Sequence, residues 1–320
     1  MKKRLFASIL GIGMLLSISM AWGQASSFPN RPVHIVVPFP PGGAVDPIAR
    51  VVGQKLEQAW GKPVIVDNKP GAATIIGADY VAKAPADGYT VILVATSFSV
   101  NPSAYSKLPF DPINDFAPIS LVSKLPLLLV VNPQLPVKSV KELIDYLKAR
   151  PGQVNFSSIG LGSTQHLAGE LFKTMAGVNM VHVPYKGSGP SMMSISAGET
   201  SLTFESVFLQ RMGKTRALAA AGAKRSPLLP DLPTVAESGL PGFDVASWVG
   251  FLAPAGTLPE IVQKWHREVA RIIQLPDVRQ QQLNQGLEPV GSTPEFFADF
   301  LKSEIARWGK IVKQAGIKLD

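Results

Sequence analysis

The sequence predicts an α/β protein of two lobes, each a largely parallel sheet covered by helices. Three observations carry this. Strand-like β-branched runs alternate with amphipathic helical segments as far as Ala221. The connections between them are short and rich in proline and glycine, the pattern of βα units. After Ala221 the chain turns mostly helical, around a single returning strand-like run at Phe243–Ala253.

Val33–Val37 is the first β-branched run, and Asp46-Pro47 then reads as an N-cap with proline at the first helical position. Ile48, Val51, Val52 and Leu56 follow at helical spacing, and Gly61 ends the helix. Pro63–Asp67 reads as a strand, Ala72–Ala84 as a helix and Thr90–Ala95 as a third strand. The same grammar repeats in the middle. Ser139-Val140-Lys141-Glu142 opens a helix with a capping box, and a short strand at Val154–Ser157 precedes a helix starting near Ser163. Met180–Val183, Ser201–Phe204 and Arg216–Ala221 read as strands, with a helix over Pro190–Ala197. Two helices close the chain, Leu258–Gln274 and one capped by Thr293 and begun by Pro294. The expected crossings between lobes lie near Lys124–Val131 and Asp244–Phe251, and two such crossings make a hinge. The expected division is a signal segment over 1–25, a first domain of 26–126 plus 249–320, and a second of 127–248.

Lys2, Lys3 and Arg4 precede an apolar run and then small residues, the pattern of an export signal cleaved after Gly23 or Ala25. The chain has no cysteine, so an exported protein of this sequence relies on its core rather than on disulfides. The net charge is +8, and loss of the three N-terminal cations leaves a modest excess. Its basic residues are scattered among acidic ones, which argues against nucleic-acid binding. The four histidines show no metal-ligand spacing, no G-x-S-x-G elbow occurs, and no cofactor is expected.

Two stretches stand out. In "VVPFPPGGAVDP" (36–47) the prolines stop a strand, the glycines expose backbone, and a helix starts at once. In "FSSIGLGSTQHL" (156–167) glycines and hydroxyls precede another helix. The second stretch lacks the third glycine and the downstream acid of a dinucleotide fingerprint. Each follows the C-terminal end of a strand, where open α/β sheets bind ligands, and a helix N-terminus there suits an anion. An ordinary capped helix after a turn is the competing reading of either one. Thr96 and Ser97, after the third strand, belong to the same rim. His166 falls in the first turn of its helix, as a packing histidine or a site residue. His34 and His182 read as structural and His266 as solvated. Glu205 ends a strand and faces either a ligand cation or a wet cleft, while Phe39, Phe98, Phe208 and Trp248 shape a cleft or fill core.

Several segments together resemble one family. "FPNRPVHIVVPFPPGGAVDPIAR", "VDNKPGAATIIGADYVAKAPADGYT", "FSSIGLGSTQHLAGELF", "VPYKGSGPS", "LPDLPTVAESGLPGF" and "PAGTLPEIVQK" are similar, in this order, to segments of the Bug receptors. These are periplasmic solute-binding subunits of tripartite tricarboxylate transporters. The resemblance implies a type II periplasmic binding fold, in which two α/β domains close on a small carboxylate. Carried over, it places Phe39, Gly42, Gly43 and Ala44 in one carboxylate-holding loop, and Ser158, Gly162, Ser163, Thr164 and His166 in the other. Ser163 and Thr164 are its best donors. Glu205 stands where amino-acid-binding members often carry aspartate, and its longer side chain means that no amino-acid ligand is inferred.

The expected function is an extracytoplasmic receptor, monomeric and not an enzyme, that presents its carboxylate to a membrane permease. Two rivals stand beside it, an exported α/β hydrolase or isomerase and a receptor for a membrane signalling partner.

Overall fold

The computed structural model describes residues 28–42, 45–212, 214–226 and 229–319, so the expected export signal lies outside the described residues. Among the described residues, ten strands form one sheet in the order β2-β1-β3-β9-β4-β7-β5-β6, with β10 and β8 pairing along β4. In the first half, β1 (Val33–Val37) lies parallel to β2 (Val64–Asn68) and β3 (Thr90–Ala95). In the second, β5 (Asn155–Ser158) lies parallel to β6 (Val181–Pro184) and β7 (Leu202–Ser206). Between them run β4 (Phe116–Val131) and β9 (Ala246–Pro254), antiparallel to each other, and the shorter β8 (Arg216–Ala220) and β10 (Glu288–Pro289).

Period-2 alternation sorts the first half onto two faces. Val33, Ile35, Val37, Val91 and Leu93 face α1 (Asp46–Trp60) and α8 (Pro259–Ile273), through Ile48, Val52, Leu56 and Trp265. Val36, Ile92 and Val94 face α2 (Ile75–Ala82), α3 (Ser97–Ala104) and the start of α10 (Pro294–Ala315), through Ala78, Phe98 and Phe297. The second half packs Leu127, Leu129, Phe156 and Phe204 against α4 (Val140–Lys148), α5 (Thr164–Ala176) and the end of α10, with Leu143, Phe172 and Trp308. The remaining helices are α6 (Ser188–Ala197), α7 (Val207–Met212) and α9 (Pro276–Asn284).

The crossing between the two halves is written into β4. It pairs β9 as far as Pro126↔Ala246, then pairs β7 from Leu127↔Ser206. Pro126 has no N–H to donate, so the ladder changes partner where a bond would be missing in any case. Helix α10 straddles the same boundary. Trp248 on β9 and Trp308 on α10 both donate indole N–H bonds of 2.9 Å to the buried Glu304 Oε2. A fully buried side chain of this size stabilises by about 1.5–3 kcal/mol, so α10 is a strong tie between the two halves.

Two sequence expectations change here. Asp46 is not the cap of α1; Val45 precedes the helix, and the Asp46 carboxylate turns back into the loop before it. The expected helix from Ala72 begins only at Ile75, because Ala72, Ala73 and Thr74 all take positive φ (44°, 49° and 83°) in a short 3₁₀ turn. Asn101 Nδ2 holds that turn by donating to the Ala73 carbonyl at 2.8 Å. Elsewhere the caps form as the spacing predicts. Ser163, Ser139 and Thr293 accept bonds from the N–H groups of His166, Glu142 and Phe296.

Candidate functional site

Strand register brings the C-terminal ends of both halves to one place. Ala95, the last residue of β3, pairs with Val249, and Thr96 Oγ1 then meets Ser247 Oγ at 3.2 Å and accepts from Trp248 N at 3.0 Å. Ser247 pairs with Leu125 of β4, two residues before Leu127, which pairs with Ser206 at the end of β7. Strand β5 is parallel to β6 and β7, so the Ser158 loop and the starts of α5, α6 and α7 share the β7 rim. Strand ends and helix N-termini from the two halves thus meet at the Pro126 crossing.

The first-half loop is built on a carboxylate. Asp46, 3% exposed, accepts from Gly42 N (3.0 Å), Arg50 Nε (2.8 Å) and Asn68 Nδ2 (2.9 Å). Arg50 holds the Asp46 carboxyl down to about 2, with Gly42 and Asn68 helping against the opposing effect of burial. Asn68 also donates to the Phe39 carbonyl, tying β2 to the loop. Phe39 is partly buried against the core beside β1. Gly42 therefore spends its N–H inside the protein, while Gly43 and Ala44 lie outside the described residues.

The second-half loop is built on imidazoles. His166 and His182 stack with centroids 3.9 Å apart and planes 14° apart, and Phe156 stacks on His182 at 4.8 Å. Gly162 N donates to His166 Nδ1 at 3.1 Å, and Ser158 Oγ lies 2.7 Å from His182 Nε2. Burial holds His166 down to about 3, with the neighbouring His182 and Lys173 adding to it, and holds His182 down to about 4. Both rings are therefore neutral at ordinary pH and can serve as acceptors. Ser163 caps α5 and donates to the Gly160 carbonyl at 2.7 Å.

These contacts reassign the expected site residues. Ser158, Gly162, Ser163, Thr96 and His166 are brought to the rim, but their polar atoms are engaged in holding it. Thr164, buried, makes no hydrogen bond through its hydroxyl among the described residues, and is the free donor of that loop. Two rim atoms are buried and partnerless among the described residues: Ser97 Oγ in one half and Glu205 Oε2 in the other. Phe98 and Trp248 are core, each 1% exposed, and the Phe208 side chain lies outside what is described.

Sequence reasoning missed several residues that shape the site. His182 reads as an ordinary strand residue, and nothing local marks it as the partner of His166. Gln165, Ser188 and Ser206 act on the Glu205 carboxyl through their side chains, which favours its ionised form against burial, while Oε2 itself has no partner among the described residues. The Asp46–Arg50 spacing of four was visible, as was Asn68 at a strand end, but their convergence needs the β1–β2 register.

Comparison with known proteins gives a consistent picture. Residues 48–317 match the family described as tripartite tricarboxylate transporter family receptor. Protein BugT of Bordetella pertussis is 39% identical over 318 residues, covering 98% of each chain. Among solved structures, Rpa4515 of R. palustris with adipate is 40% identical with a TM-score of 0.79, covering 91% of this chain and 99% of that one. MatC from Rhodopseudomonas palustris with bound malate is 32% identical with a TM-score of 0.75, covering 89% and 100%. The match extends over most of the described chain, both halves and the rim between them included, and on it the protein belongs to the receptor family of the tripartite tricarboxylate transporters.

Proposed function

We propose that this protein is a periplasmic receptor that captures a small carboxylate between its two lobes and presents it to a membrane permease. The observation that carries this reading is the meeting of helix N-termini from both halves at the Pro126 crossing. Oriented N–H groups and free hydroxyls on both sides suit an anion, and a ligand touching both lobes stabilises the closed arrangement by differential affinity. The bodies that move are 26–126 with 249–320, and 127–248, turning about β4 and β9. The adipate and malate in the related R. palustris structures support a carboxylate here.

The test is a thermal-shift screen on refolded, ligand-stripped protein with dicarboxylates, tricarboxylates, acidic amino acids, aromatic acids and their amides. At ~100 times the dissociation constant an acid adds ~2.7 kcal/mol, and its amide adds nothing. Thr164→Val, which keeps shape and removes the hydroxyl, weakens the active acid by about 1.5–3 kcal/mol if that hydroxyl meets a charged carboxylate. A panel in which no acid shifts the melt rejects the reading.

A further inference from the structure

Glu205 is an anomaly in an anion site. Its residue is 2% exposed, Oε1 accepts from Ser206 N at 2.8 Å, and Oε2 has no hydrogen-bond partner among the described residues. The carboxyl lies where the starts of α5 and α6 come together, with Gln165 and Ser188 beside it. On the carboxylate-receptor reading, a ligand anion arrives at this same rim. We propose that Glu205 donates a hydrogen bond, as the protonated acid, to a carboxylate of the bound ligand, so that ligand and one proton enter the site together.

Hydrogen bonds from Ser206, Ser188 and Gln165 only partly offset its burial, and no cation pairs with it. The elements packed against β7 are β4, β5, α5, α6 and α7. Strand β4 carries only Lys124, whose ammonium sits over the Phe300 ring, and β5 and α6 carry no charged residue. Helix α5 carries His166, held neutral, and Glu170 paired with Lys173 at 2.9 Å. The exposed Arg211 on α7, Lys186 before α6 and the neutral His182 on β6 complete the set. None of these acts on Glu205 as a charge, and burial pushes its carboxyl above the usual carboxylate range. A ligand carboxylate about 5 Å from an ionised Glu205, at an effective dielectric near 20, would lose about two orders of magnitude in affinity. Taking one proton from solvent converts that repulsion into a hydrogen bond between acid and anion. No bond other than O–H is made or broken.

The coupling has a definite direction. Binding raises the affinity of Glu205 for its proton, so the ligand affinity rises as pH falls from the bound-state pKa towards the free-state one, by at most tenfold per pH unit. His166 and His182 stay neutral through pH 6–8.5 and do not contribute. The experiment is calorimetric titration of wild type, Glu205→Gln and Glu205→Leu at pH 6, 7 and 8.5, with whichever acid of the panel shifts the melt. Wild type should bind at least tenfold more weakly at pH 8.5 than at pH 6 and take up a proton, read from buffers of different ionisation heat. Glu205→Gln carries a donor that needs no proton, so it should lose the pH dependence and bind about tenfold more tightly than wild type at pH 8.5. Glu205→Leu should bind at least tenfold more weakly at pH 6. A Glu205→Gln affinity at or below that of wild type at pH 8.5 overturns the inference. If no acid in the panel binds, the receptor reading fails separately, and infrared spectra of the ligand-free protein near pH 6 decide this one. A protonated-carboxyl band lost in Glu205→Gln supports it, and its absence from wild type overturns it.

Discussion

The loop after β1 is held by an ionised carboxylate, whereas the loop after β5 is held by two neutral imidazoles. Both do the same work, fixing a glycine turn in front of a helix N-terminus, and both engage a glycine N–H to do it. Asp46 meets three donors, one from the half-exposed Arg50, and gains from being charged. His166 accepts from Gly162 N while stacked on His182, and serves only while uncharged. A glycine turn before a helix can therefore rest on a negative or a neutral support. The cost is that the two halves respond to acid at different pH.

The largest predicted effect comes from that difference. Each histidine has a folded pKa depressed below its unfolded value of ~6.5, so its stabilisation is complete above pH 6.5 and is lost as pH falls towards the folded values of about 3 and about 4. From pH 7 to pH 5 the two together should remove about 3 kcal/mol, after a discount for the partial exposure of His182. Urea unfolding at the two pH values measures it. His166→Gln in a His182→Asn background should flatten the profile over that interval. An equally steep loss in the double variant would move the acid sensitivity elsewhere.

Asp46 should lose its contribution in the same direction, but only at lower pH. Its folded pKa of about 2 lies below the unfolded value, so its contribution is intact above pH ~4 and is lost only as pH falls from there towards 2. Asp46→Ala at pH 7 should cost about 2 kcal/mol, because Gly42 N and Asn68 lose an acceptor while the half-exposed Arg50 stays hydrated. The urea midpoint at pH 7 reads this, with the fold otherwise retained by circular dichroism. A change within ~0.5 kcal/mol would reduce the network to an ordinary surface ion pair.

The sequence disclosed one layer of this arrangement and concealed the next. Alternation in Val33–Val37 and Thr90–Ala95, the Ser163 and Thr293 caps, and the two glycine loops are local signals, and local chemistry decides them. What stayed hidden depends on register. Whether Asp46 caps a helix or buttresses a loop turns on Asn68 arriving from β2. Whether His182 is core or support turns on a ring that α5 brings to it. Phe98 and Trp248 were legible as large and apolar, but their side of the sheet was not. Glu205 was visible as a strand-end acid, yet its isolation from every cation is a property of five packed elements.

The smallest predicted effect uses one substitution in both loops. Gly42 has φ +78° with open space where a methyl would sit, and Gly162 has φ +72° with Leu319 Cδ1 only 2.6 Å from the place a Cβ would occupy. Alanine in a left-handed conformation costs about 1 kcal/mol at either position. Gly42→Ala should show that amount and little more. Gly162→Ala should cost somewhat more, since the tail carrying Leu319, anchored by its N–H on the Ala104 carbonyl at 2.9 Å, must give way. Leu319 is a flexible side chain, so the excess is a few tenths of a kcal/mol rather than a clash between backbones. In a double-mutant cycle, Leu319→Ala should remove that excess from Gly162→Ala and leave Gly42→Ala unchanged. Equal costs for both alanines, with no coupling to Leu319, would show that the C-terminal tail lies over the second loop without supporting it, and that the two loops differ only in the groups that hold them from behind.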